Sequence, residues 1–378
     1  MDFTLTTDQL SLQAAAKEFC RVEVEPRASG IDREGRMPDD LMPKLGAQGF
    51  LGMTVPKRHG GSELGHLSCV LAIEQLAYSG TGVWWLAGFN NSIPGCIAEY
   101  ATEDVQKRYL PSLCKGHSYA SIQFTEEATG SDPEALTTTA RLVGDHYVLN
   151  GSKRFSTFGA RDGVAILFAK DSGGACVSLV IEKNGPGYTV GKVWESVGAG
   201  GIEPADIHFE NYRVPAANIL GRREKGFDVL LDWIAVEKVQ QCAANVGFAE
   251  AALHEAVAHA NRRSSRGRPI SAMQGIRWML AEMQGKLEAS RWLTYRAALL
   301  LDQKAPNRAI EAALAKVFVV PATIEVTELS RRIHGAYGYV REYKVERLCR
   351  AAAGATGVAT SLEINKSIVG AALVRHSA

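Results

Sequence analysis

The stretch Phe124-Thr125-Glu126-Glu127-Ala128-Thr129-Gly130-Ser131-Asp132 is followed, nineteen residues on, by Gly151-Ser152-Lys153-Arg154-Phe155-Ser156-Thr157-Phe158-Gly159. Each reads as a short loop after a β-type run. Together they offer what is needed to hold a flat, polar ring system by its edges: Gly130 permits close backbone approach, and the hydroxyls of Thr125, Ser131 and Thr157 can give or take hydrogen bonds.

Around this pair the chain changes character twice. From Thr7 to about Lys115 apolar residues recur at helical spacing, as in Leu10, Leu12, Ala15, Phe19 and Val22. The run from Leu67 to Ala98 predicts one or two buried helices broken near Gly88 and Pro94. Between Tyr119 and Gly221 lie short β-branched runs (119–124, 137–143, 147–149, 164–169, 177–181 and 205–209) separated by Gly/Asp/Asn turns, which predicts a small antiparallel barrel or sandwich. Beyond Gly226 four long helical segments (226–262, 270–302, 307–335 and 345–375) predict a four-helix bundle. The expected domains are 1–117, 118–224 and 225–378, and the expected class is α+β.

Composition narrows the function. At 378 residues, the chain is too long for one ordinary core. With 42 basic against 41 acidic residues there is no overall electrostatic case for nucleic acid. The clusters at 262–268 and at Arg331-Arg332 read equally as solvated helix ends or as a phosphate-binding patch. Seven scattered cysteines without a C-x-x-C pair fit a reducing cytosol. The Met1–Thr4 start has neither a basic n-region nor an apolar h-region, and no apolar run approaches the roughly 18 residues that span a bilayer. A soluble, cytoplasmic protein is expected.

The two opening stretches resemble the flavin-contacting motifs T-E-x-x-x-G-S-D and G-x-K-x-W-I-T-N-G of the acyl-CoA dehydrogenase family. Three further stretches are similar to it in the same order: Phe209–Gly221 (F-x-x-V-x-V-P-x-x-N-x-L-G), Gly335–Tyr339 (G-G-x-G-Y) and Val345–Arg350 (V-E-R-x-x-R). The resemblance implies FAD, with Phe124, Thr125, Gly130, Ser131 and Thr157 against the isoalloxazine ring and Phe155 in place of a shielding tryptophan. It further implies that Arg263, Ser265 and Gln274 reach FAD across a subunit interface, and that Arg332, Gly335 and Gly338 lie at its pyrophosphate. Arg266 and Arg332 stand where phenylalanine and glutamine are usual, and both add positive charge. A homotetramer or homodimer is implied.

The implied reaction is α,β-dehydrogenation of an acyl thioester, in which a carboxylate takes the α-proton while hydride leaves the β-carbon. The usual glutamate lies in a terminal Y-E-G-T-S. Counted from Arg347, the corresponding stretch here is Ala355-Thr356-Gly357-Val358, and Thr356 cannot be a base. One branch of the family places the base on the first bundle helix, in an E-R pair that corresponds to Glu237-Lys238. Glu237 lies on the stripe Leu230, Ile234, Glu237, Gln241, Ala244 and Phe248. By pattern alone it would more often be a solvated surface residue; with the other glutamate gone, it becomes the leading candidate. Glu363 is the runner-up.

The substrate is expected to be an acyl-CoA, or an acyl group on a carrier protein, since Ser196–Gly200 lacks the arginine of the family's K-M-G-x-R. Electrons would pass to an electron-transfer flavoprotein, or to oxygen in a variant that performs oxidase or oxygenase chemistry. A catalytically dead scaffold is a third reading. Trp84, Trp85 and Phe89 either narrow the pocket or belong to the core.

Overall fold

The computed structural model describes residues 4–223 and 225–375, so the Met1–Phe3 start and the expected boundary at Glu224 lie outside the described residues. The N-terminal part comprises α1 (Thr7–Phe19), α2 (Ala28–Glu34), α3 (Leu41–Ala47), α4 (Gly65–Ala77), α5 (Val83–Tyr100) and α6 (Glu103–Cys114). Thr6 caps α1 in a reciprocal capping box with Gln9. The predicted break near Gly88 and Pro94 does not occur: α5 runs through both. Pro94 has no N–H for the Asn90 carbonyl. That carbonyl instead accepts the Gly52 N–H at 3.0 Å, which removes the penalty that would have broken the helix.

The middle part holds β1 (Tyr119–Gln123), β2 (Thr139–Val143), β3 (His146–Ser156), β4 (Gly163–Asp171), β5 (Cys176–Glu182), β6 (Tyr188–Val193) and β7 (Ala205–Pro215) in one seven-stranded sheet. The sheet is mixed, which corrects the expected antiparallel barrel. β1 pairs with β4 in parallel, as does the start of β2, and the other pairings are antiparallel. Only antiparallel neighbours can be joined by a tight hairpin. β1 and β4 are instead separated by two motif stretches and a hairpin, so the parallel pair is invisible to turn signals. β3 is also longer than its Tyr147–Leu149 core suggests. It continues through Gly151–Ser156, with register shifts at 149/151 and 153/156, so most of the second motif is bulged strand and only Thr157–Gly159 is turn.

The C-terminal part begins with α7 (Gly226–Arg262) and a two-strand hairpin, β8 (Ser264–Ser265) with β9 (Arg268–Pro269). It continues with α8 (Gln274–Asp302), α9 (Arg308–His334), α10 (Lys344–Gly354) and α11 (Leu362–Arg375). The expected fourth helix is thus two helices. Ala359 and Thr360 take φ of +50° and +71°, backbone that no helix accommodates. α7 packs against α4, α5, α8, α9 and α10, which explains why nearly every residue from Ala235 to Ala249 is buried. At its crossing with α4, a Cβ on Gly247 would sit 2.1 Å from the Glu74 carbonyl, so only glycine allows this approach. One apolar core joins the N-terminal helices to the bundle, and a second fills the inside of the sheet.

Candidate active site

The two motif stretches meet. Arg154 donates its backbone N–H to the Thr125 carbonyl at 2.8 Å. Lys153 Nζ lies 2.5 Å from Glu126 Oε1 and also donates to the carbonyls of Phe168 (2.6 Å) and Phe124 (3.2 Å). Glu126 in turn accepts the backbone N–H of Thr137 (2.6 Å) and of Thr138 (3.1 Å). Burial opposes ionisation of Glu126, but Lys153 and these hydrogen bonds outweigh it and hold its carboxyl at about 2. Sequence reasoning quoted both residues inside the motifs yet gave them no role. Their type was visible, whereas their pairing across 27 positions was not.

The turn that ends the second motif is fixed from beneath. Ser121 Oγ donates to the Thr157 carbonyl, Lys183 Nζ to that of Phe158 and Tyr188 Oη to that of Gly159, each at 2.8 Å. Phe155 and Phe158 both take left-handed φ, +56° and +55°. The Phe158 ring is fully buried against Tyr119, whereas the Phe155 ring is half exposed and lies tilted against Trp194, 5.3 Å between centroids. Phe124 packs edge-on against Phe168. The hydroxyls of Thr125, Ser131 and Thr157 have no hydrogen-bond partner among the described residues, and a Cβ on Gly130 would meet no atom within 4 Å. This edge is anchored at its Thr157–Gly159 turn and, among the described residues, leaves its hydroxyls unbonded.

From the same turn the Phe158 N–H donates to the Ile202 carbonyl, and Ile202 lines a cavity of about 160 Å³ where the three parts of the chain meet. Trp84 and Trp85 come from α5, Gln241 and Asn245 from α7, Ala355 and Val358 from the segment after α10. The segment 196–202 is held against α10 at Gly198, where a Cβ would lie 2.3 Å from the Arg350 carbonyl. Five buried polar atoms around the cavity have no partner among the described residues: both indole nitrogens, both amide atoms of Gln241 and Asn245 Oδ1. Orphans of this kind are costly unless a ligand or water meets them. Trp84 and Trp85 stack at 4.0 Å, so they are core and cavity wall at once.

Glu237 lies one helical turn before Gln241 on the same face of α7. It is 5% exposed, and no hydrogen bond from a described residue reaches it. Burial pushes its carboxyl up to about 7, against the pull of Lys316 and Lys238. Neither the position of the family's usual glutamate nor the runner-up offers such a setting. Thr356 is exposed, and its hydroxyl bonds the Ala353 carbonyl. No acidic residue occurs anywhere from Ala351 to Leu362. Glu363 stands in the first turn of α11 with a side chain 77% exposed, and it pairs with Lys366 at 3.9 Å.

The remaining expected cofactor residues cluster at the far end of the bundle. His259 against His334, 4.4 Å between ring centroids, brings the end of α7 to the end of α9. Arg263 and Ser265 follow the former, Gln274 opens α8, and Arg332, Gly335 and Gly338 close the latter. Arg263, Gln274, Arg332 and Gly335 are exposed, Gly335 with φ of +60°, whereas Gly338 is buried against the Arg331 carbonyl. Arg263, Arg266 and Arg332 form no ion pair among the described residues. Within one chain no hydrogen bond or ion pair among those residues joins this cluster to the motif turn.

Three family models match the chain in order: "Acyl-CoA dehydrogenase, N-terminal domain" over residues 6–117, "middle domain" over 121–212 and "C-terminal domain" over 224–374. The chain is 36% identical to an acryloyl-CoA reductase (NADH) of Anaerotignum propionicum, over 98% of this chain and 95% of that protein. Among solved structures it is similar to the butyryl-CoA dehydrogenase of Megasphaera elsdenii, with 31% identity and a TM-score of 0.96 over 99% of this chain and all of the other. It is also similar to an acyl-CoA dehydrogenase of Bacillus anthracis complexed with FAD, with 27% identity and a TM-score of 0.93 over 99% of this chain and 68% of that one.

Proposed function

The chain belongs to the acyl-CoA dehydrogenase family, and we propose that it performs FAD-dependent α,β-dehydrogenation of an acyl-CoA with Glu237 as the α-proton base. The observation that carries the assignment is Glu237 itself, a buried carboxyl without a hydrogen-bond partner among the described residues, one turn from a cavity lined with unpaired donors and acceptors. A carbon acid as weak as a thioester α-C–H needs a base of raised pKa in a dry site. The exposed alternatives offer no such setting.

The residues present fit FAD. Thr125, Ser131 and Thr157 offer hydroxyls without a partner among the described residues, the turn that carries Thr157 is anchored by Ser121, Lys183 and Tyr188, and Phe155 offers an exposed aromatic face. The unpaired guanidinium groups at Arg263 and Arg332 suit a diphosphate. They stand apart from the motif turn in one chain, so the reading assigns them, with Ser265, Gln274, Gly335 and Gly338, to the FAD of a second copy. Exposed Trp278, Phe318 and Tyr339 on the bundle support a homo-oligomer, for which a tetramer is the proposed form. When bound, FAD supplies the acceptor for hydride leaving the β-carbon.

Within that arrangement Glu237 takes the α-proton, and the Gln241 amide supplies a donor for the developing enolate oxygen. Trp84 and Trp85 exclude water and limit the acyl group. An electron-transfer flavoprotein is the proposed electron acceptor. No helix among the described residues is long and apolar enough to cross a membrane, and all seven cysteines are free; the proposed location is the cytoplasm. The test is anaerobic mixing of the FAD-loaded protein with butyryl-CoA. Bleaching of the oxidised-flavin band with equimolar crotonyl-CoA is expected. No bleaching, or product formed only with consumption of oxygen, would overturn the reading.

A further inference from the structure

Lys316, on α9, is fully buried and has no hydrogen-bonded carboxylate partner among the described residues. Its ammonium has three protons to donate. All three go to consecutive carbonyls of the segment between α10 and α11: Val358, Ala359 (3.2 Å) and Thr360 (2.7 Å). Three successive carbonyls can converge on one point only if the chain is coiled back on itself, and the left-handed Ala359 and Thr360 do that. Backbone of this kind in non-glycine residues persists only where its surroundings over-determine it. Asn365 adds to the restraint, since its side-chain amide donates to Thr360 Oγ1 at 2.9 Å and to the Ser361 carbonyl at 2.7 Å.

The segment so held is also a wall of the site. Ala355 and Val358 line the cavity, so the carbonyl of a lining residue is fastened to Lys316. α9 packs against α7, and the ionisable groups of α7 that act electrostatically on this ammonium are Glu237, Lys238 and Cys242. Glu237 sees two cations, Lys316 from α9 and Lys238 from its own helix. The segment 355–361 brings carbonyls and no ionisable carboxylate. Burying a cation without a bonded counter-ion is expensive. Neutral donors could have satisfied the carbonyls, so a charge here calls for a reason beyond packing.

We infer that Lys316 is a positioning residue for the reaction, one side chain that both fixes the 355–361 wall of the cavity and holds positive charge opposite Glu237. The inference rests on the reading of Glu237 as the base. Within it, this chain, which lacks a carboxylate in the segment, uses the segment as a fixed wall, and the lysine that builds the wall keeps the base ionised near neutral pH. The sign follows from charge alone. A cation beside a buried carboxyl opposes the effect of burial, so loss of Lys316 moves the base to higher pH.

The experiment compares FAD-loaded wild type, Lys316→Met and Lys316→Arg in two measurements: the pH dependence of anaerobic flavin reduction by butyryl-CoA, and the rate of proteolytic cleavage within 355–361. Lys316→Met is expected to move the midpoint of the pH profile upward by about one unit, a roughly tenfold slower reduction below it, and to open the segment to protease. Lys316→Arg should restore the midpoint while leaving the segment partly exposed, because a planar guanidinium cannot meet three converging carbonyls in the same way. A Lys316→Met protein with the wild-type midpoint, or with wild-type protease resistance, would overturn the inference. If Lys316→Met does not fold, Lys316→Gln, which keeps donors without charge, is measured in its place with the same two outcomes. Failure of the underlying reading shows separately: it is signalled by undiminished flavin reduction in Glu237→Gln, with Lys316 intact.

Discussion

Glu126 and Lys153 meet at 2.5 Å with side chains 2% and 0% exposed, and their contact joins the segment after β1 to the middle of β3. Burial draws the Lys153 ammonium down to about 8, although Glu126 opposes this. Charges this well buried are tolerated when every remaining donor and acceptor is engaged, and here two carbonyls and the Thr137–Thr138 backbone complete the set. The pair sets the spacing of the two stretches that we assign to the flavin edge.

Removing one member should therefore be worse than removing both. Lys153→Met strands a buried carboxylate, and breaking such a pair costs about 3–5 kcal/mol. Urea denaturation should show a loss of that size together with lost FAD. The double variant Lys153→Met/Glu126→Gln should recover much of the stability, because no unpaired charge is left.

The raised pKa of Glu237 ties function to stability with opposite signs. Its folded value of about 7 lies above the ordinary 4.5, so the native state favours the protonated form. That stabilisation is present below the unfolded value and is lost as pH rises through about 7. Glu237→Gln removes the ionisation, so it should leave the melting temperature unchanged in acid and raise it above neutrality, by up to about 3 kcal/mol in stability. Over the same range, flavin reduction in wild type should climb with pH through about 7. A pH series of thermal melts and one of reduction rates check both halves.

Tyr188 contributes one of the three hydrogen bonds beneath Thr157–Gly159. Tyr188→Phe deletes that donor while keeping the ring packed against Phe209 and Tyr212. One such bond contributes about 0.5–1.5 kcal/mol, which predicts a two- to tenfold weaker FAD affinity in a titration of the apoprotein. Unchanged affinity would mean that the turn does not bear on the cofactor.

The stacked pair Trp84–Trp85 limits a cavity of about 160 Å³. Trp85→Ala should lengthen the acyl chain accepted, raising kcat/KM for octanoyl-CoA relative to butyryl-CoA. It should also destabilise the fold by about 3–5 kcal/mol, the usual cost of emptying a buried tryptophan site. Steady-state assays on the two thioesters read the preference directly.

The order helical, β, helical is legible in the sequence because α1 keeps helical spacing, the middle part reads as short β-branched runs between Gly/Asp/Asn turns and the end as long unbroken helical runs, and the motif residues assigned to a ligand are legible as residue types. What escaped are relations that depend on distant backbone. Pro94 continues α5 only because Gly52 serves the freed carbonyl of Asn90, a partner 38 positions away. The parallel pairing of β1 with β4 leaves no turn signal. The break between α10 and α11 comes from Ala359 and Thr360, whose side chains do not favour left-handed backbone, and Lys316 on another helix fastens it. Lys183 and Tyr188 likewise act through carbonyls, which no residue pattern displays.

The central claim is that Glu237 is the base. The direct test is single-turnover anaerobic reduction of the FAD-loaded protein by butyryl-CoA, wild type against Glu237→Gln, with FAD content shown to be equal. General-base catalysis contributes about 10²–10⁴-fold, so Glu237→Gln should slow bleaching by that factor. Bleaching at the wild-type rate in Glu237→Gln would contradict it.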